Sequence, residues 1–69
     1  MISYDKFWTT LENRGISQYS LIKDYKVSSS QLNRLRKNQP VSTSTLDNLC
    51  NILGCKVQDV IEITLDNKE

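Results

Sequence analysis

Four short stretches of this chain share one pattern: "ISYDKF" from Ile2, "ISQYSL" from Ile16, "VSSSQL" from Val27 and "VSTSTL" from Val41. Each runs aliphatic residue, serine, three intervening positions, large apolar residue. A serine at a helix N-cap accepts a hydrogen bond from a backbone N–H of the first turn that has no partner within the helix. The apolar residue before the cap packs on the one four places into the helix, as a hydrophobic staple. The pattern therefore predicts four helix starts, stapled by Ile2 with Phe7, Ile16 with Leu21, Val27 with Leu32 and Val41 with Leu46. In the third copy Gln31 stands where it can complete a capping box with Ser28. A degraded fifth copy, "CKVQDV", offers Cys55 and Val60 as a staple and no good cap. Unequal spacing and dissimilar following segments mark these as helix starts, not as a tandem repeat.

The apolar periodicity agrees. Tyr4, Phe7, Trp8 and Leu11 recur at the spacing of one helix face, and Gly15 then suits a helix stop. Leu46, Leu49, Cys50 and Leu53 repeat the spacing, again followed by a glycine, Gly54. Between them lie two shorter helices, Gln18 to about Tyr25 and Ser29 to about Lys37, with Pro40 beyond the second, where a helix cannot continue. Val57, Val60 and Ile61 suit one or two further helical turns. Ile61, Ile63 and Leu65 then alternate with Glu62 and Thr64, a strand pattern, and the tail "DNKE" is expected to fray. The fold class that follows is all-α: a compact bundle of about five short helices, with a short C-terminal strand, in a single domain over residues 1–69.

Composition removes several classes of function. Two cysteines and no histidine leave no four-ligand zinc site, and no cofactor or metal is expected. Cys50 lies on the apolar stripe of its helix and Cys55 starts the next element, so both read as reduced, packed thiols. An enzyme is not expected: no histidine is present, no carboxylate pair is placed with a nucleophile, and the serines serve as caps. Neither a secretory signal nor an apolar run long enough to span a membrane occurs, so the chain reads as cytoplasmic and complete.

The net charge of +1 conceals an uneven distribution. From Tyr25 to Leu46 the only charged side chains are Lys26, Arg34, Arg36 and Lys37, whereas Asp59, Glu62, Asp66 and Glu69 face Lys68 alone at the C-terminus. A basic middle segment points toward a polyanion. The third helix is also nearly devoid of apolar residues: Leu32 and Leu35 form its whole inner stripe, and the remainder shows Ser29, Ser30, Asn33, Arg34, Arg36 and Lys37. Packing from one side must hold such a helix. Hydroxyls, amides and a guanidinium on its outer half are the groups that read base edges in a major groove, and the fork of Arg34 matches a guanine edge. A short capped helix a few residues before it completes a helix–turn–helix.

At this point the chain resembles the lambda-repressor-like regulators of the Cro/repressor (XRE) class. The segment "SQYSLIKDYKVSSSQLNRLRKNQPVSTSTLDNLCNIL" follows the second, third and fourth helices of that family in order and spacing. The resemblance implies a bundle of about five helices that binds double-stranded operator DNA through the third, here about residues 29–37. It implies a small bacterial or phage-type transcriptional regulator, expected to be a repressor. Carried over by position, Ser29, Ser30 and Arg34 match base readers, flanked by Gln31 and Asn33. Gln18 matches a phosphate contact, and Lys37, Asn38, Ser42 and Thr43 match a second phosphate clamp. Two positions depart from the family pattern. Ile22 stands where a small residue is common and should alter the angle between helices two and three. The turn has no glycine where the family often has one, so Lys26 is expected to adopt positive φ there at some cost.

A rival reading keeps the fold as a protein-interaction or antitoxin-like module, using Tyr4, Trp8 or the strand Ile61–Leu65 as its contact surface. The basic and nearly apolar third helix argues against it. Small DNA-binding modules commonly pair to read two half-sites, so a homodimer is expected, with Ile61, Ile63 and Leu65 as the contact. The alternative is that this strand folds back on the N-terminal "MIS" segment or covers the bundle of its own chain, leaving a monomer. No small-molecule effector is evident.

Overall fold

The structure, a computed structural model, describes residues 1–65; the tail "DNKE" lies outside the described residues. In chain order the elements are β1 (Ile2–Ser3), α1 (Asp5–Asn13), α2 (Gln18–Lys23), α3 (Ser29–Arg36), α4 (Thr43–Leu53), a 3-10 turn (Val57–Asp59) and β2 (Glu62–Ile63). The expected fifth helix is thus a single 3-10 turn, in which the Lys56 N–H donates to Asp59 Oδ2 at 3.3 Å.

Three of the four repeated phrases cap helices as expected. Ser17 Oγ accepts from the Ser20 N–H at 3.0 Å, Ser28 Oγ from Gln31 at 3.2 Å and Ser42 Oγ from Thr45 at 3.2 Å. All three serines have extended backbone, as an N-cap requires. The first phrase behaves differently. Ile2 and Ser3 are drawn into a strand, α1 starts one residue later than expected, and Tyr4 takes the cap position without a side-chain cap. Ser3 Oγ receives only a long bond, 3.3 Å, from the Asp5 N–H. The physical reason lies at the other end of the chain, where β2 pairs antiparallel with β1 in the register Ile2↔Ile63 and Ser3↔Glu62.

The glycine stops appear where the periodicity placed them. Gly15 and Gly54 have φ of 69° and 64°, and the Cys55 N–H closes back on the Cys50 carbonyl at 3.1 Å. Lys26, at the turn between α2 and α3, has φ of 61°, the strained geometry anticipated from the missing glycine. Ile22 is accommodated with 41% of its surface in solvent.

One core joins these elements. Tyr4, Phe7 and Leu11 of the N-terminal segment meet Leu21, Val27, Leu32, Leu35, Leu49, Leu53 and Val60, all buried. Phe7 and Trp8 touch edge to face, with ring centroids 4.7 Å apart. Cys50 and Cys55 are free and half-buried beside this core. Burial pushes the Cys55 thiol up, with Cys50 and Asp59 acting in the same direction, which disfavours the reactive thiolate. Two polar links lock α1 to the far end of the chain. Arg14 Nε donates to the Leu53 carbonyl at 2.7 Å, covering the C-terminus of α4, and Thr10 Oγ1 donates to the Asp59 carbonyl at 3.0 Å.

The C-terminal strand is shorter than the alternation suggested, and it pairs within the chain. The Thr64 N–H donates to the Met1 carbonyl at 2.9 Å, and the N-terminal ammonium donates to the Thr64 carbonyl at 2.7 Å. Ile61 packs against the core, whereas Ile63 and Leu65 are 67% and 86% exposed. The expected contact face Ile61–Ile63–Leu65 is therefore divided. Its first member stabilises the chain's own interior, and only the other two are free at the surface.

Candidate nucleic-acid interface

The capped start of α3 and its two leucines fix which way its side chains face. With about 100° between successive residues, Leu32 and Leu35 set the inner side, and both are fully buried. Ser30, Asn33, Arg34 and Lys37 then point outward, and all four are exposed. Gln31 falls on one flank and Arg36, with Ser29 close by, on the other.

Each flank is tied to a neighbouring helix. Gln31 Nε2 donates to Thr45 Oγ1 at 3.0 Å, and that hydroxyl lies 3.0 Å from Ser42 Oγ, so the side chain joins α3 to the capped start of α4. The capping box expected between Gln31 and Ser28 does not form, because the half-buried carboxamide has this better partner inside the fold. On the opposite flank Arg36 Nε donates to Gln18 Oε1 at 3.2 Å, and Arg36 Nη2 donates to the same oxygen. Gln18 opens α2, so this contact joins the last residue of α3 to the first of α2.

The exit from α3 is held as well. Asn38 adopts φ of 55°, and its Oδ1 accepts from the Tyr4 N–H at 3.1 Å. The buried Tyr4 hydroxyl donates to the Gln39 carbonyl at 2.6 Å, while the Gln39 N–H closes on the Arg34 carbonyl at 2.9 Å. Burial pushes the Tyr4 phenol above its ordinary value, with the backbone at Val41 acting the other way.

Of the residues named from the sequence, Ser29, Asn33, Arg34, Lys37 and Thr43 are exposed, and their side chains have no hydrogen-bond partner among the described residues. Ser30 is also exposed, its Oγ 3.2 Å from that of Ser28. Gln31, Asn38 and Ser42 already have internal partners: α4, the start of α1 and the α4 cap respectively. Gln18 keeps its amide nitrogen free, because Arg36 takes only the oxygen. Residues that sequence reasoning missed are Arg36, Tyr4 and Gln39. For Arg36 a signal existed, since helical spacing puts it on the flank beside Ser29 that must meet another element. Tyr4 was read for its ring alone, and nothing in the spacing announced where its hydroxyl goes.

The result is a short helix with a tethered inner half and an outer face of hydroxyl, amide and cationic groups. No carboxylate occurs between Tyr25 and Leu46 to oppose Lys26, Arg34, Arg36 and Lys37. Such a surface suits phosphate and base edges. Comparison with known proteins points the same way. The crystal structure of the transcriptional regulator VanUg matches with a TM-score of 0.80 and 36% sequence identity, over 88% of this chain and 81% of that one. No curated protein matches the chain. The family model for the Cro/C1-type helix–turn–helix DNA-binding domain matches residues 6–66, and the chain belongs to that family.

Proposed function

We propose that the chain is a sequence-specific, double-stranded DNA-binding transcriptional regulator of small bacterial or phage type. In this reading it acts in the cytoplasm as one DNA-binding domain and represses by occupying its operator. The observation that carries the reading is the outer face of α3, where Ser30, Asn33, Arg34 and Lys37 stand exposed while both flanks are tied back to α2 and α4. Insertion of α3 into the major groove brings Arg34, one turn into the helix, to a base edge. Lys37, at the helix end, meets the groove wall. Gln18 and Thr43, at the starts of α2 and α4, then lie toward the phosphates on either side. Family membership and the likeness to a transcriptional regulator support this use of the helix.

Selection of bound sites from a randomised duplex pool tests the reading directly, with enrichment of one short motif as the expected result. Arg34→Ala should cost about 1–3 kcal/mol at the selected site and relax the choice of base at one position. If the variant weakens every duplex equally, Arg34 is a phosphate contact. If the pool yields no enriched motif, sequence-specific binding is wrong.

A single module buries too little DNA surface for tight binding, and two copies on half-sites about one helical turn apart repair this. The exposed apolar end of the ribbon, Met1, Ile63 and Leu65, is the proposed contact between copies. Sedimentation of the intact protein and of Ile63→Asp, free and on a palindromic duplex, decides it. A monomer at high concentration that binds without cooperativity refutes the dimer.

A further inference from the structure

In the sequence Arg36 stands out only as one cation of the basic middle segment, yet it makes the one side-chain bridge between the two helices of the helix–turn–helix among the described residues. We infer that Arg36 is a positioning residue, which sets the polarity of the Gln18 carboxamide so that its amide nitrogen faces the DNA backbone. The inference rests on the DNA-binding reading above and assigns a mechanism within it.

The chemistry is one of matched ends. A carboxamide carries an acceptor at one end and two donors at the other, and an unrestrained glutamine can turn either outward. A phosphate oxygen accepts only, so an outward Oε1 would repel it. Guanidinium groups donate only. Both Arg36 contacts fall on Gln18 Oε1, Nε at 3.2 Å and Nη2 beside it, so the oxygen is held inward and Nε2 is the end left over. Two donors on one atom also restrict rotation of the amide plane in a way that a single ammonium does not. Gln18 is the first residue of a helix whose cap, Ser17, is already satisfied by the Ser20 N–H, so no other side chain of the cap competes for it. Arg36 thus works through Gln18, and its own charge is a separate contribution.

A cycle of variants in the full chain separates the two. Wild type, Gln18→Ala, Arg36→Lys and the double variant are titrated by fluorescence anisotropy with the duplex selected from the random pool, across a range of salt. Arg36→Lys retains the charge and loses the fork. It should weaken binding by about as much as Gln18→Ala, roughly tenfold for one lost bond to a charged group, with an unchanged salt slope. The double variant should bind no more weakly than Gln18→Ala alone, since both changes remove the same contact. In wild type the Gln18 side-chain amide proton signals should move when duplex is added, and this readout does not depend on any variant folding. Wild-type affinity in Arg36→Lys, losses that multiply in the double variant, or unmoved Gln18 amide signals would each overturn the positioning role. DNA binding would then stand without it. Failure of the wild-type chain to bind any duplex overturns the DNA-binding reading and this inference together.

Discussion

Lys26 offers the cleanest test of how the sequence determines the turn between α2 and α3. Its φ of 61° lies in the left-handed region, where an L-residue carries a steric penalty of about 1–2 kcal/mol. Glycine removes that penalty but loses more backbone freedom on folding, about 0.5–1 kcal/mol. Lys26 is exposed, so its side chain contributes no core packing that a substitution would forfeit. The turn is closed by backbone, the Val27 N–H donating to the Leu21 carbonyl at 2.8 Å, and glycine retains that bond. The midpoints of the two ranges leave a net stabilisation of about 0.75 kcal/mol for Lys26→Gly, or about 3–6 °C in melting temperature for a domain of this size. Removing a cation from a basic segment could itself stabilise, so Lys26→Ala is the necessary control: it deletes the charge and keeps the strain. Thermal and urea unfolding of the three proteins at one salt concentration gives the comparison. If Lys26→Gly is no more stable than Lys26→Ala, the backbone strain argued from φ is not a real cost.

Three other substitutions probe separate parts of the structure. Ser28→Ala removes the cap bond to Gln31 and should cost about 0.5–2 kcal/mol in urea unfolding, with DNA affinity falling as well, because the helix it caps carries the proposed base readers. Lys37→Ala should weaken all duplexes about uniformly and lower the salt slope by about one unit; a changed base preference in a competition assay would contradict this. Tyr4→Phe loses the 2.6 Å bond to the Gln39 carbonyl and should cost about 0.5–1.5 kcal/mol near neutral pH. Because the folded Tyr4 phenol is raised above its unfolded value, its stabilisation is complete below about pH 10 and lost as pH rises toward the folded value. The gap between wild type and Tyr4→Phe should therefore narrow in alkaline urea melts, and a constant gap would show that the phenol is not selectively held neutral.

How much of this was legible in the sequence depends on how local the physics is. The caps at Ser17, Ser28 and Ser42 and the glycine stops at Gly15 and Gly54 involve partners within a few residues, so their signals are written in adjacent letters. The strain at Lys26 was legible only through the family resemblance, which puts a glycine in this turn. The "ISYDKF" phrase misled because its fate is decided by Glu62 and Ile63, at the opposite end of the chain, which pair with Ile2 and Ser3 in place of a helix cap. Gln31 misled because Thr45, fourteen positions away, competes successfully for its carboxamide. The bridge from Arg36 to Gln18 and the link from Asn38 to Tyr4 span 18 and 34 positions, and both depend on the packed arrangement of helices. Outward residues of α3 were legible because two leucines suffice to orient a helix; the partners on its flanks were not.

That division also explains why the flanks matter for reading DNA. Two leucines fix how deeply α3 sits, but a stripe so narrow permits the helix to roll about its axis. In the proposed complex, a roll of one residue position, about 100°, would replace Arg34 at the groove floor with a neighbour. Gln31 on one side and Arg36 on the other oppose such a roll in both directions, and Asn38 with Gln39 pins the exit of the helix to the start of α1. Each link is one or two exposed or half-buried hydrogen bonds, each contributing only about 0.5–1.5 kcal/mol to stability. Their larger effect is on orientation, because a bidentate contact between a guanidinium and a base edge tolerates little angular error. On the proposed reading, the polar residues that leave the outer face and turn inward are therefore what would allow the remaining ones to discriminate.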